Sequence, residues 1–199
     1  MEAVTRPIEG EKAQRIVEAM RTSVARHGAA GATFDVVSRE AGVSRGLLHY
    51  YFGTKERLLG EAVRRDCDMR MERLEAQLAT AASAEDFIDL LRVALTEFVA
   101  DDGGEFATVI FELFTIARRN PEVAEEFAEL LRRTREQVAA MLRAKAEEGV
   151  LQLHGDPEAI ADLLFSLGDG LALRMLSEPG RDWGTTVEAG VLAVRALIV

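Results

Sequence analysis

Basic and aromatic side chains cluster in the short segment from Ser44 to Phe52, which reads SRGLLHYYF. Guanidinium, imidazole and phenol groups can all donate hydrogen bonds, so a compact helix of this composition suits the major groove of DNA. Gly46 lies inside the segment, although glycine in a helix costs roughly 1 kcal/mol relative to alanine. A glycine at this position would let the backbone approach another surface closely, and DNA is such a surface.

Two short helices joined by a tight turn would position this segment. Thr33 is suited to cap the first helix, and Gly42 is suited to end it, because a positive φ costs glycine nothing. Ser44 then caps the second helix. The apolar residues of both helices recur at helical spacing and would face inward: Phe34, Val37, Ala41, Leu48 and Phe52. The pattern therefore predicts a helix-turn-helix.

The segment GVSRGLLHYYFGTKERLL resembles the signature of the TetR-type (tetracycline-repressor-like) transcriptional regulators, GVS-x-G-x-L-Y-x-Y-F-x-x-K-x-x-L. The resemblance extends from about Ile16 to Val63 and is architectural afterwards. The matching residues are Gly42, Val43, Ser44, Gly46, Leu48, Tyr51, Phe52, Lys55 and Leu58 or Leu59. His49 stands where tyrosine is frequent, and Leu47 stands where a small or hydroxylated residue is common. These two departures bear on the operator sequence rather than on DNA binding itself.

The resemblance implies which residues touch DNA. Arg45, at the start of the recognition helix, would read a base, since guanidinium matches the O6 and N7 atoms of guanine. Gly46 would lie against the DNA, and Leu47 would offer an apolar contact, for example to a thymine methyl group. The side chains expected to hold phosphates and set the register are Thr33, Ser44, His49, Tyr50, Tyr51 and Lys55.

The formal net charge of −10 is divided unevenly along the chain. Residues 1–65 hold 11 Lys and Arg against 8 Asp and Glu, whereas residues 66–199 hold 13 against 26. The basic share thus accompanies the DNA-binding motif, and we expect the acidic remainder to face away from DNA.

Other features bound the class of protein. No apolar run is long enough to span a membrane, and the chain does not open on a secretory signal. The single cysteine, Cys67, excludes an internal disulfide and fits a cytoplasmic location. His27, His49 and His154 are scattered, and no metal-spaced or phosphate-loop motif is present. The sequence therefore disfavours an enzyme and indicates no cofactor.

Apolar periodicity predicts an all-α fold. The segments with helical patterns are residues 9–27, 54–64, 66–82, 83 to a break at 102–104, 106–117, 121–148, 157–177 and 185–197. With the resemblance, they predict a TetR-type helix-turn-helix DNA-binding domain over residues 1–64. A helical ligand-binding and dimerisation domain would follow over residues 65–199.

The helices that begin at Pro121 and Pro157 are candidates for a dimer interface. The second is apolar nearly all round, so it must be covered on more than one side. Its small residues, which would let another helix approach, are Ser166, Gly168, Gly170 and Ala172. Asp169 would serve this interface. The alternative is a central core helix within one subunit. The resemblance favours a homodimer, whose recognition helices, about 34 Å apart, would read a palindromic operator on double-stranded DNA.

Members of this family typically enclose a ligand pocket. The apolar candidates to line it are Phe87, Leu91, Phe98, Phe106, Ile110, Phe114, Phe127, Met141 and Phe165. The alternative is that these are simply core residues. The resemblance implies a repressor released from DNA by an unknown small apolar or amphipathic effector. The competing interpretation is a helix-turn-helix protein with an architectural or cell-division role and no effector. A roomy apolar pocket would favour the sensor, and a fully packed core would favour the alternative.

Overall fold

The computed structural model describes residues 10–100 and 104–199, and every regular element in these ranges is an α-helix. The helices are α1 (Glu11–Gly31), α2 (Phe34–Ala41), α3 (Arg45–Phe52), α4 (Lys55–Ala79), α5 (Ala84–Ala100), α6 (Glu105–Ala117), α7 (Pro121–Glu147), α8 (Pro157–Ser177) and α9 (Gly184–Ile198). The all-α prediction is confirmed. Within the described ranges, each helix is too short or too polar to cross a lipid bilayer.

Local capping sets the ends of the two short helices. The Thr33 hydroxyl accepts a hydrogen bond from the Val36 amide at 3.4 Å, and Gly42 ends α2 with a φ of 64°. The Ser44 hydroxyl accepts from the Leu47 amide at 3.3 Å at the start of α3. Both bonds satisfy amides that the first turn of a helix leaves without a partner. The predicted helix-turn-helix is therefore present.

Helix α4 differs from the prediction, because it continues through residues 64–66 instead of ending there. No glycine or proline lies between Glu61 and Ala79, so nothing in the local sequence stops the helix. Helix α1 likewise passes the expected stop at Gly28, where the backbone kinks (φ 67°, ψ 169°), and ends at Gly31. Of the predicted break at 102–104, residues 102 and 103 lie outside the described residues, and Gly104 (φ 84°) directly precedes α6.

The described residues divide into two compact units. The first holds the chain up to Asp66 together with Thr108–Leu130, and the second holds the remainder. The predicted boundary at residue 64 thus lies close to the first division. The return of residues 108–130 to the first unit was not predicted, because it depends on long-range packing.

Each unit has its own apolar core. In the first unit, Ile16, Val37, Leu48 and Leu58 are each 0% exposed. In the second unit, the core is formed by residues of α4, α5, α7, α8 and α9: Met71, Leu78, Phe87, Ile88, Val138, Leu142, Ile160, Val191, Val194 and Ile198. The first core positions α3 through its buried face, and residues of the second core line the cavity described below.

A buried lysine ties α7 to the end of α4 in the second unit. The Lys145 Nζ donates to the carbonyl oxygens of Ala79 and Ala81, both at 3.1 Å, and pairs with Glu148 at 2.8 Å. The ammonium group therefore satisfies carbonyls at the end of α4 that have no partner within the helix.

Candidate nucleic-acid interface and apolar cavity

Helix α3 buries one face and exposes the other. Leu48 and Phe52 pack into the core of the first unit. Arg45, Gly46 and His49 are exposed, as the sequence predicted. A β-carbon placed on Gly46 would meet no atom within 4 Å, so packing within the chain does not require glycine there. The exposed face thus combines charged and hydrogen-bonding groups with an unobstructed stretch of backbone.

The two tyrosines of α3 differ in exposure. Tyr50 is 70% exposed, whereas Tyr51 is half-buried. Their rings meet edge to face with centroids 5.1 Å apart. Tyr50 therefore has the more accessible ring of the two, and an exposed phenol can donate a hydrogen bond to a phosphate. Leu47 is half-buried beside them.

Arg45 is held by a side chain of α2. Its Nη1 atom lies 3.0 Å from each carboxylate oxygen of Asp35, and its Nε atom lies 3.3 Å from Nε2 of His49. The Nδ1 atom of His49 lies 3.3 Å from the carbonyl oxygen of Gly53. The ring of Phe34 packs edge-on against the imidazole, with centroids 4.7 Å apart. Asp35 was absent from the predicted site because it precedes Arg45 by ten residues, in another helix.

Three predicted phosphate ligands also have structural partners within the first unit. The hydroxyls of Thr33 and Ser44 accept the capping amides, which leaves each hydroxyl proton free to be donated. Lys55 is half-buried, and its Nζ donates to the carbonyl of Ala29 at 2.8 Å, near the end of α1. Lys55 therefore holds α1 against the start of α4, and its phosphate contact stays a prediction, as do those of Thr33 and Ser44.

The second unit contains an apolar cavity of about 170 Å³. Four of the predicted lining residues do line it: Phe87, Leu91, Met141 and Phe165. The structure adds Leu74 and Leu78 of α4, and Gly190, Val191 and Val194 of α9. Sequence reasoning missed these because an apolar stripe on a helix indicates burial without indicating the neighbouring helix.

The remaining predicted pocket residues do not line this cavity, and their placement corrects the prediction. Ile110, Phe114 and Phe127 belong to the first unit, where Phe127 is buried and Phe114 is 53% exposed. Phe106 is buried under the guanidinium of Arg70, 4.2 Å from its ring centroid. The side chain of Phe98 lies outside the described residues.

Asp169 carries the one ionisable group among the described residues that line the cavity. It was expected at a dimer interface instead. The residue is exposed in the single chain, but the apolar groups packed around its carboxyl group raise the pKa of that group above the usual 3.8. A perturbed carboxyl group in an apolar cavity is typical of a functional site.

The outward face of α8 also differs from the prediction. Ala172 is 0% exposed and Gly168 is buried at the cavity, so neither lies on the outer surface. Ser166 and Gly170 are exposed. The outer face instead carries Leu163, Leu173 and Leu176, together with Leu192 of α9, which is 65% exposed. Leu167 is partly exposed but lines the cavity. The assignment of these helices to a dimer interface is not tested by the single chain.

Comparison with known proteins gives the class of this one. Residues 16–62 match the family model "Bacterial regulatory proteins, tetR family", and residues 87–197 match "BetI-type transcriptional repressor, C-terminal". The HTH-type transcriptional regulator BetI of Rhizobium meliloti (strain 1021) is 30% identical over 169 residues, covering 84% of this chain and 79% of the relative. The same-named regulator of Agrobacterium fabrum is 27% identical, covering 84% and 78%.

Solved structures share the fold. FadR of Bacillus subtilis, in complex with stearoyl-CoA, has a TM-score of 0.76 at 19% identity, covering 92% of this chain and 97% of that one. A protein from Saccharomonospora viridis, described as a transcriptional regulator and solved in complex with choline, has a TM-score of 0.72 at 23% identity, covering 96% and 100%.

The helix-turn-helix and the helical second unit thus define a DNA-binding transcriptional regulator. The chain belongs to the tetR family of bacterial regulatory proteins, with a BetI-type C-terminal part. The family is one of transcriptional regulators and not of enzymes.

Proposed function

We propose that this chain is a homodimeric repressor that binds a palindromic operator through α3 and leaves it when a small ligand occupies the cavity. The observation that carries the proposal is the exposed face of α3, where Arg45, His49 and Tyr50 surround a glycine that the fold itself does not need. Arg45 reads a guanine, Tyr50 holds a phosphate, and His49 supports Arg45 through Nε2.

Selection of bound duplexes from random DNA tests the operator. We expect an inverted repeat whose half-sites are centred about one or more helical turns apart, because a two-fold dimer presents two α3 helices. Affinity should fall steeply as salt rises, since phosphate contacts release counterions. Selection that yields no shared sequence would contradict sequence-specific regulation.

Exposed leucines support a dimer through α8 and α9. Leu163 and Leu173 of α8 are 50% and 53% exposed, and Leu192 of α9 is 65% exposed. Apolar side chains grouped in this way mark a surface that another protein covers. A second copy of the same face would bury them in a four-helix bundle of α8 and α9. The family resemblance also implies a four-helix bundle, but built from the helices that begin at Pro121 and Pro157, so the two arrangements share α8 only.

The chemistry of the cavity favours a small cation with an apolar body. Among the described residues that line it, the apolar cavity has one carboxylate and no basic group, so it attracts positive charge and disfavours negative charge. Its volume of about 170 Å³ is close to the ~150 Å³ that holds a benzene molecule, so the buried part of the effector has on the order of six to ten non-hydrogen atoms. The choline bound to the protein from Saccharomonospora viridis is of this class.

Helix α4 offers a continuous path between ligand and DNA. It begins at Lys55, shortly after α3, and carries Leu74 and Leu78 at the cavity. A ligand that shifts this helix changes the spacing of the two α3 helices in the dimer. By linkage, ligand and operator then weaken each other's binding by the same free energy, typically 1–3 kcal/mol.

Three probes of similar size but different charge test the effector class: butyltrimethylammonium, hexanol and hexanoate. We expect the cation to raise the melting temperature most and to release a labelled operator, and Asp169→Asn to abolish its advantage over hexanol. Potassium chloride at matched ionic strength controls for screening of the phosphates. Equal responses to all three probes would exclude charge recognition. Operator affinity that stays constant while a probe binds would exclude the coupling.

A helix-turn-helix protein without an effector remains the competing interpretation. The apolar cavity supports the sensor, since a protein with a purely architectural role has no use for it. Titration of the same three probes distinguishes the ligand-responsive repressor from the architectural protein, because the latter would bind none of them.

A further inference from the structure

Two side chains of the chain itself hold the guanidinium of Arg45. Asp35 holds Nη1 through both carboxylate oxygens at 3.0 Å, and His49 accepts from Nε at 3.3 Å. None of the hydrogen bonds of Arg45 within the described part of the chain uses Nη2. The side chains of Arg45 and Asp35 are 57% and 60% exposed, so the remaining nitrogen is open to a ligand.

The partners of His49 show how it supports the arginine. The Gly53 carbonyl can only accept a hydrogen bond, so the proton of the imidazole lies on Nδ1, 3.3 Å from that oxygen. Nε2 then carries the lone pair that accepts from Arg45. Edge contact with the ring of Phe34 fixes the plane of the imidazole. A hydrogen-bonded row thus runs from Asp35 through Arg45 and His49 to the end of α3.

This row has two consequences for base recognition. A long arginine side chain normally loses rotamer freedom when it binds, and prior fixation by Asp35 removes much of that loss at the correct base. The carboxylate also repels phosphates, which weakens binding to DNA of any sequence. The first effect widens the gap between the correct and the incorrect duplex, which is the quantity that defines specificity. The second effect lowers the affinity for all duplexes alike.

We propose that Asp35 is a specificity-determining positioning residue, which orients Arg45 toward one guanine. The inference rests on the proposed function, because it requires that α3 reads an operator. Nothing in the matched signature points to it, since Asp35 lies before that segment, in α2.

The experiment measures base discrimination at fixed salt. Fluorescence anisotropy gives the affinity of the full-length dimer for its selected operator, for operators with each base pair changed in turn, and for an unrelated duplex. The variants are Asp35→Asn, Asp35→Glu, Arg45→Ala and the Asp35→Asn/Arg45→Ala double variant. Glu40→Gln, which removes the same charge from another exposed position of α2, is the matched control.

We expect Asp35→Asn to tighten binding to the unrelated duplex and to reduce discrimination by roughly tenfold at one base pair, the one that Arg45 reads. Asp35→Glu keeps the charge but displaces the carboxylate, so it should lose discrimination there without gaining affinity for unrelated DNA. In the Arg45→Ala background, Asp35→Asn should change discrimination no further. Glu40→Gln should leave discrimination at every position as in the wild type.

Two results would overturn the inference. If Asp35→Asn tightens every duplex equally, Asp35 is only a repelling charge. If Asp35→Asn improves discrimination, Asp35 competes with DNA for Arg45 instead of orienting it. Failure of the proposed function looks different, because the wild-type protein would then show no preference among duplexes.

Discussion

The carboxyl group of Asp169 bears on stability as well as on the proposed recognition of a cation. Burial raises its pKa, so the charged form is disfavoured in the folded chain. The stability contributed by the protonated form is complete below the ordinary aspartate pKa of about 3.9 and is lost as pH rises through the higher folded-state value. A protein without a cation to bind would be more stable with a neutral residue here.

Asp169→Asn should therefore raise the melting temperature of the ligand-free protein at pH 7, and the gain should disappear near pH 4. Thermal melts between these pH values measure the difference. Asp162→Asn, about two helical turns earlier in α8, is the control; its carboxylate lies outside the cavity and 3.6 Å from Nη1 of Arg135, so the change should give no such pH-dependent gain. Equal melting temperatures for wild type and Asp169→Asn at both pH values would show that burial does not raise the pKa of this carboxyl group.

Gly46→Ala should separate folding from DNA binding at one residue. The new methyl group meets nothing within 4 Å, and alanine is favoured over glycine in helices by up to about 1 kcal/mol, so the free energy of unfolding should rise. The same methyl group should obstruct close approach to DNA and weaken operator binding about tenfold or more. Denaturant unfolding and anisotropy measure the two effects. Unchanged operator affinity would remove Gly46 from the interface.

The helices show which parts of the fold could be predicted from sequence. The starts at Thr33, Ser44 and Pro157 were predictable, because capping depends on residues within one turn. The continuity of α4 was not predicted, since the apolar pattern weakens near residue 65 although nothing there stops a helix. Charged residues in that stretch are compatible with a helix that packs on different neighbours along its length.

Long-range packing explains what was missed in both candidate sites. The exposed face of α3 follows from helical periodicity, but its support by Asp35 depends on how α2 and α3 cross. The aromatic half of the cavity was predicted from residue type, whereas Val191 and Leu74 come from helices far apart in the chain. Composition indicates that such residues are buried, and only the fold shows what they face.

The junction between α4 and α7 in the second unit should depend on Lys145. In Lys145→Met the carbonyls of Ala79 and Ala81 lose their donor, and Ala81 is buried, which should lower the free energy of unfolding by on the order of 2 kcal/mol. Denaturant titration measures it. Arg143→Met removes an exposed ion pair with Glu158 and should change stability by less than about 1 kcal/mol. Similar losses in both variants would mean that burial does not strengthen the Lys145 bonds.

The proposed homodimer determines whether two α3 helices bind the operator together. Placing glutamate at two exposed leucines, Leu163→Glu and Leu192→Glu, should prevent pairing, because the charges would be buried in the dimer. Light scattering should then report monomers, and operator affinity should fall by about a hundredfold or more, since one α3 helix binds without its tethered partner. Met69→Glu, at an exposed apolar residue of α4, is the control and should leave both unchanged. A double variant that remains dimeric would place the interface elsewhere.

The open space beside the α-carbon of Gly46 has a consequence for laboratory evolution. A library screened only for survival of heating should enrich alanine at this position early, because the change helps the isolated protein. The selected variants would be more thermostable and would no longer repress a reporter gene. A library screened for heat survival and reporter silencing together should retain glycine, and sequencing the two pools would reveal the demand that DNA places on this position.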